Sequence, residues 1–298
     1  MISFLPEELS VSKLHHLLLG AVGPRPIAFA STIDLEGRPN LAPFSFFNVF
    51  SANPPILIFS PARSGRTNTT KDTYNNVKAH PEVVINMVNF DIVEQMSLAS
   101  SPYAAGENEF IKAGLTPVPS DLIKPFRVKE SPVQFECKVN QVIELGSQGG
   151  AGNLIICEVL KLHIHAHLLD DNHQIDQQKI DLVSRMGGDW YCRADEKAMF
   201  ELKKPITSCG IGFDQLPLDL LKSSILSKNL LARLAGIEEI PDETEVNEYK
   251  LMELSDLFLS LDKQPNELEL ALHNRAKNLL IENKLKEAWL TLLSFNNR

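Results

Sequence analysis

No stretch of this chain approaches the ~20 consecutive apolar residues that a membrane-crossing helix needs. Cysteine is scarce. Cys137, Cys157, Cys192 and Cys209 form no CxxC pair and no zinc-ligand pattern. Cys137 and Cys157 lie inside apolar alternating runs, where a reduced thiol behaves as a small hydrophobe. A reducing, cytoplasmic compartment is therefore expected. Met1 to Gly20 carries no basic stretch ahead of Leu17-Leu18-Leu19 and is not read as a signal peptide. Positive charge is also in deficit, with 29 Lys and Arg against 38 Asp and Glu for a formal net charge of −9. A general grip on nucleic-acid backbones needs the opposite balance, so nucleic acid is not expected as a partner. There is no P-loop, no GxGxxG and no Ser-His-Asp order, which leaves catalysis by a protein nucleophile without support.

What is present fits an ordinary globular protein. The 298 residues, 44% hydrophobic and 22% charged, can build one large domain with an appendage or two modest domains. Two textures divide them. Pro26 to Tyr191 is rich in β-branched and aromatic runs punctuated by Gly, Pro, Asn and Asp; Glu196 to Arg298 is Leu-rich, charged and helical in period. The expected division is a β domain over 1–195 and a helical extension over 196–298.

In the first region strands are expected at Ile27–Ile33, Asn40–Phe50, Ile56–Phe59, Val83–Val88, Val133–Leu145 and Leu154–Leu168. Asp34 to Arg38 forms a hairpin turn with Gly37 where positive φ is cheap. A glycine-rich turn, Gly146 to Gly152, joins the two longest strands. Short helices are expected at Lys71–Ala79 and at Asp91–Ala99, the latter with Asp91 as N-cap. Many antiparallel strands with short helices between them favour a barrel over a doubly wound sheet. In the second region Leu268, Leu272, Ala276, Leu279 and Leu280 mark one helical face, with Pro265 at its start and Trp289 and Leu292 beyond. Such a face usually packs against a neighbouring domain, and docking a partner is the less favoured reading.

The segments that carry chemistry fall between Gly23 and Asn76. Gly23-Pro24-Arg25-Pro26-Ile27-Ala28 comes first, then Asn40-Leu41-Ala42-Pro43-Phe44-Ser45-Phe46-Phe47-Asn48, Ser60-Pro61-Ala62-Arg63 and Lys71-Asp72-Thr73. The loop from Ser60 to Asn76 concentrates Arg63, Arg66, Lys71 and many hydroxyls in an acidic chain. Cationic heads, hydroxyl donors and free N–H groups at a helix start are what a phosphate needs. Asp72 then sits in the first helical turn, where it complements the dipole. The plainer reading is a solvated loop with a capped helix, but this concentration of basic and hydroxyl groups in an acidic chain favours phosphate. For the Phe44 to Asn48 run, period 2 puts Phe44, Phe46 and Asn48 on one face and Ser45 and Phe47 on the other. Taken alone, a barrel-core strand is the simpler reading of that run.

In their order and spacing these pieces resemble the FMN-binding split-barrel family of flavin reductase-like proteins, most closely its flavoredoxin-type branch, over about Leu14 to Arg193. The resemblance implies a six-stranded antiparallel Greek-key split barrel, mainly β, with helical excursions and an α-helical C-terminal extension. It implies FMN as cofactor, a homodimer with the flavin at its interface, and redox chemistry fed by NADH or NADPH or by a redox partner protein. By that likeness Ser45, Phe46, Phe47 and Asn48 meet the flavin ring, and Ser60, Arg63, Lys71, Asp72, Thr73 and Asn76 hold phosphate and ribityl. Arg185, in Ser184-Arg185-Met186-Gly187-Gly188-Asp189-Trp190-Tyr191, reaches FMN or substrate, or else belongs to a Gly-Gly turn with an anchoring aromatic pair.

One departure stands out. Many reductases of this superfamily carry a His near the nicotinamide site, just before the strand that here starts at Leu154; this chain has Gly152-Asn153. Asn cannot carry the charge of His. The expectation is slow direct reduction by NADH and NADPH, with Asn153 as gate and Asn153→His as an accelerating change. A nicotinamide-fed reductase, an electron-transfer flavoprotein and a barrel that has lost its flavin all remain open. His163, His165 and His167 alternate over roughly 14 Å at about 3.4 Å per residue, too far for one ion. No metal site is assigned to them.

Overall fold

The computed structural model describes residues 1–104, 106–202 and 204–295. Two compact units divide it, Met1–Phe200 and Glu201–Arg298.

The first unit begins with helix α1 (Val11–Ala21), capped at Ser10, whose side chain accepts from the Lys13 N–H. Strands β1 (Ala28–Ile33), β2 (Pro39–Phe44), β3 (Phe47–Ala52) and β4 (Pro55–Phe59) follow, then helix α2 (Asp72–Ala79) and β5 (Glu82–Asn86). Helices α3 (Val93–Ala99) and α4 (Glu109–Ala113) precede a short ribbon of β6 (Pro117–Val118) and β7 (Arg127–Val128). The long strands β8 (Val133–Glu144) and β9 (Asn153–Ile164) form a hairpin, and β10 (Val183–Arg185) pairs with β11 (Tyr191–Arg193).

Seven strands join in one antiparallel sheet in the order β2-β1-β5-β8-β9-β4-β3. The fold is mainly β and split-barrel-like, with one strand more than expected. The extra strand comes from the segment read as continuous over Asn40–Phe50. Its first half pairs with β1 and its second with β4, at opposite ends of the strand order. The chain bends at Ser45–Phe46 to make that transfer, so the face assignment drawn from unbroken alternation does not hold there. Pro43 is tolerated because β2 is an edge strand with β1 as its one neighbour.

Period 2 in β1 divides the core. Ile27 and Phe29 join Leu41, Met96 and Phe110 on one side. Ala28 and Ala30 join Phe47, Phe59, Ile85 and Ile155 on the other. Cys137 and Cys157 are buried in that second cluster, and burial pushes both thiols well up, away from reactivity.

Two boundaries differ from expectation. The segment at Asp91 starts as a 3-10 turn, and α3 begins only at Val93, with no side-chain cap from Asp91. Strand β9 stops at Ile164 because its partner β8 begins opposite at Val133, after Pro132. Of the three alternating histidines only His163 lies in a strand; His165 precedes, and His167 sits within, a 3-10 turn.

The second unit is helical: α5 (Leu218–Leu221), α6 (Lys228–Leu234), α7 (Glu243–Glu253), α8 (Ser255–Ser260), α9 (Pro265–Ile281) and α10 (Leu285–Leu293). Pro265 occupies the first turn of α9. The apolar face of α9 packs inside its own unit: Ala276 and Leu280 against Leu234, Trp289 and Leu292, and Leu268 and Leu272 against Leu254. Trp289 donates from Nε1 to the Leu234 carbonyl at 3.1 Å. Among the described residues no helix is long and apolar enough to cross a membrane.

Candidate functional site

A cleft of about 450 Å³ opens in the first unit, within the ~300–1,000 Å³ typical of small-molecule sites. One wall is β2 and the corner after it, Asn40 to Phe46; another is Ser60 and Ala62 beyond β4. Lys71, Asp72 and Thr73 enter from the start of α2, residues 99–103 from the end of α3, and His15 and Leu19 from α1.

Lys71 holds the N-cap position of α2 but supplies no capping oxygen, so the first N–H groups of the helix have no side-chain partner. A cationic side chain and uncapped backbone donors converge at one end of the cleft. Behind them a polar ladder fixes α2 to the sheet. Asn40 Nδ2 donates to Thr73 Oγ1 at 2.9 Å and to Thr32 Oγ1 at 3.2 Å, and Asn76 Nδ2 donates to Thr32 Oγ1 at 3.0 Å.

Ser60 is tied on two sides. Its N–H donates to the Phe46 carbonyl at 2.9 Å, and its Oγ accepts the Asn153 N–H at 3.0 Å. Gly152 must be glycine for this approach, since a Cβ there would lie 2.8 Å from Ser60 Oγ. The glycine-rich turn thus braces the Ser60 loop from behind.

Glu109 of α4 also lines the cleft. Burial pushes its carboxyl above the usual range, although Oε2 accepts the Leu41 N–H at 3.0 Å, which favours the charged form. That contact pins β2 at the wall of the cleft.

Of the residues expected at a flavin site, the structure brings together Ser45, Phe46, Ser60, Lys71, Asp72 and Thr73. Five others lie elsewhere. Phe47 is in the core beside Phe59. Asn48 is exposed on β3, its Oδ1 accepting the Val49 N–H. Arg63 donates to Asn68 Oδ1 at 2.8 Å and to the Asn68 carbonyl at 2.6 Å, shaping its own loop. Asn76 is buried under the ladder and borders a neighbouring depression. Arg185 stacks on Tyr191 at 4.6 Å and faces Asp189 at 3.9 Å.

Asn153 does not line the cleft. It is 1% exposed, and its Nδ2 donates to the Pro61 carbonyl at 2.8 Å. The amide is committed to Pro61 and lies beneath the cleft surface. Conversely, His15, Leu19, Tyr103 and Glu109 line the cleft without having been expected there. The signal for α1 was available in Ser10 as an N-cap ahead of a Leu-rich run. Which of its residues meets the cleft was not.

A second polar cluster lies apart. Asp121, Glu136 and His163 bring ligand atoms within 4.8 Å of one another. All are already engaged: Glu136 accepts from the N–H groups of Asp121 and Leu122 and contacts His163 Nε2 at 2.7 Å, while Lys161 pairs with Asp121.

Residues 21–179 match the model of the flavin reductase like domain. An uncharacterized protein of Halalkalibacterium halodurans is 38% identical over 205 residues, spanning 68% of this chain and 96% of the relative. Nitrilotriacetate monooxygenase component B from Bacillus cereus superposes with a TM-score of 0.64 at 32% identity, over 68% of this chain and 98% of that one. The 2-nitrobenzoate 2-nitroreductase NbaA of Pseudomonas fluorescens gives 0.63 at 26% identity, over 71% and 100%. The chain belongs to the flavin reductase-like family.

Proposed function

We propose that the cleft binds FMN and that the chain is a homodimeric, FMN-dependent oxidoreductase that takes electrons from NADH or NADPH. The observation that carries this reading is the convergence in one cleft of Lys71 and the uncapped start of α2 with the aromatic corner Phe44–Phe46. FMN needs both, an anion site for its phosphate and an apolar wall for its ring. Lys71, Ser60 and the first N–H groups of α2 would hold the phosphate end, and Phe44, Ser45 and Phe46 would flank the ring. Asp72 and Glu109 face the same cleft; the first complements the dipole of α2, and Glu109 is bound to the Leu41 N–H. Bound FMN would supply the redox chemistry, while the chain binds and orients it and limits access to it.

Membership of the family supports this reading, and the solved relatives named above are a monooxygenase component and a nitroreductase. The alternative, a flavin carrier served only by a redox partner protein, rested on Asn153 at the nicotinamide site. That side chain is buried and donates to the Pro61 carbonyl, so the position offers no imidazole to a nicotinamide, and stopped-flow reduction by NADH and NADPH separates the two readings. Homodimerisation is supported by β3, a sheet edge that presents Val49 and Phe50, each 64% exposed.

Lys71→Ala tests the phosphate assignment. Fluorescence titration with FMN should show affinity weakened by about tenfold or more, as for a lost charge-assisted contact of ~1.5–3 kcal/mol. Unchanged affinity would place the phosphate elsewhere.

A further inference from the structure

We infer that His15 recognises the carboxamide of the second reactant, a nicotinamide nucleotide, in the cleft. The inference rests on the reading of that cleft as the FMN site and names what it would take beside the flavin.

Helix α1 has no buried residue, so core packing does not hold it. Its C-terminal end is fastened by polar contacts instead. The buried Arg25 guanidinium donates to the Leu19 carbonyl at 2.7 Å, to the Val22 carbonyl, and to the Met186 carbonyl at 2.8 Å. Gly187 lets the backbones touch, since a Cβ there would lie 2.9 Å from Gly20 Cα. A buried cation without a carboxylate partner is costly; burial and the nearby Arg185 both lower its pKa. What this fastening achieves is to carry His15 and Leu19 to the cleft.

The imidazole is oriented there by Phe46, with ring centroids 6.3 Å apart and planes at 74°. Phe46 is also one of the residues assigned to the flavin ring. His16, by contrast, is already bonded through Nδ1 to the Ser12 carbonyl at 2.7 Å. Neither ring nitrogen of His15 has a hydrogen-bond partner among the described residues, so both are available to a ligand. Neutral imidazole offers one donor and one acceptor. A carboxamide presents the complementary pair, a carbonyl and an NH2, on a planar ring able to lie beside a flavin.

The test compares wild-type, His15→Ala and His15→Gln holoprotein. FMN affinity is measured first, by fluorescence titration. Equilibrium binding of NAD+ and NADP+ to the flavin-loaded protein follows, then anaerobic stopped-flow reduction by NADH and NADPH over a concentration series. FMN affinity should fall much less than nucleotide affinity in both variants. His15→Ala should weaken binding of the preferred nucleotide by about tenfold, the size of one hydrogen bond, and raise its half-saturating concentration more than it lowers the limiting rate. His15→Gln, which also donates and accepts, should recover most of the loss. Unchanged nucleotide binding in His15→Ala overturns the inference, as does a matching loss of FMN affinity, which would make His15 a flavin contact. Flavin-loaded protein that neither nucleotide binds or reduces overturns it too. Failure of the wild-type protein to bind FMN would instead remove the reading on which it rests.

Discussion

Asn153 and Lys71 show how far a single side chain's role depends on what covers it. Asn153 begins β9, and its Oδ1 is buried without a hydrogen-bond partner. Replacing it by His would force a larger ring into a closed position and break the bond to Pro61. Asn153→His should therefore lower stability by ~1–3 kcal/mol without accelerating reduction by NADH or NADPH. Denaturant unfolding and stopped-flow reduction check the two halves; a stable variant that is reduced faster would restore Asn153 to the cleft surface. The place of Lys71 was readable because its setting is local: a cation at a helix start, in a hydroxyl-rich loop. The burial of Asn153 was not readable, because proximity to a strand start says nothing about what lies over it. His15 escaped for a related reason, since α1 meets the cleft only through the distant contacts of Arg25.

At the scale of elements, the long β8–β9 hairpin and α2 were plain in the sequence from their apolar runs and punctuation, although β8 carries two register shifts and β9 ends before the expected Leu168. The corner at Ser45–Phe46 was not, because nothing in Asn40–Phe50 tells the two strand partners apart. The buried helix face of α9 was visible, but its covering was not, since Leu254 and Trp289 lie on other helices. His273 sits on that face, buried, with Nδ1 2.8 Å from Ser223 Oγ. Burial lowers its pKa below the ordinary ~6.5, with Glu269 and Asp219 opposing the shift. The unfolded chain then binds the proton more readily than the folded one. This stabilising effect is complete above about pH 6.5 and declines as pH falls from there through the folded-state value. Urea unfolding followed by tryptophan fluorescence reports the helical unit, because Trp289 is buried and Trp190 is exposed. The midpoint should fall on acidification below about 6.5, and more steeply than in His273→Gln, which keeps a partner for Ser223 but does not titrate. Parallel pH dependence in the two proteins would clear His273 of the effect.

For the whole molecule, two units with separate apolar cores share the chain, and the features tied to flavin lie in the first. If β3 is the face that meets a second copy, Phe50→Glu should convert a dimer to a monomer in light scattering without unfolding it, because that side chain is exposed. A wild-type monomer, or a dimer indifferent to the change, would put the contact elsewhere. The central claim, that the cleft is built for FMN through an anion site at the start of α2, is tested most directly by comparing FMN with riboflavin, which lacks the phosphate. Titrated into full-length flavin-free protein, FMN should bind with one site per chain and at least about tenfold more tightly than riboflavin, and Lys71→Ala should erase most of that preference. Equal affinity for the two flavins, or a preference that survives Lys71→Ala, would contradict it.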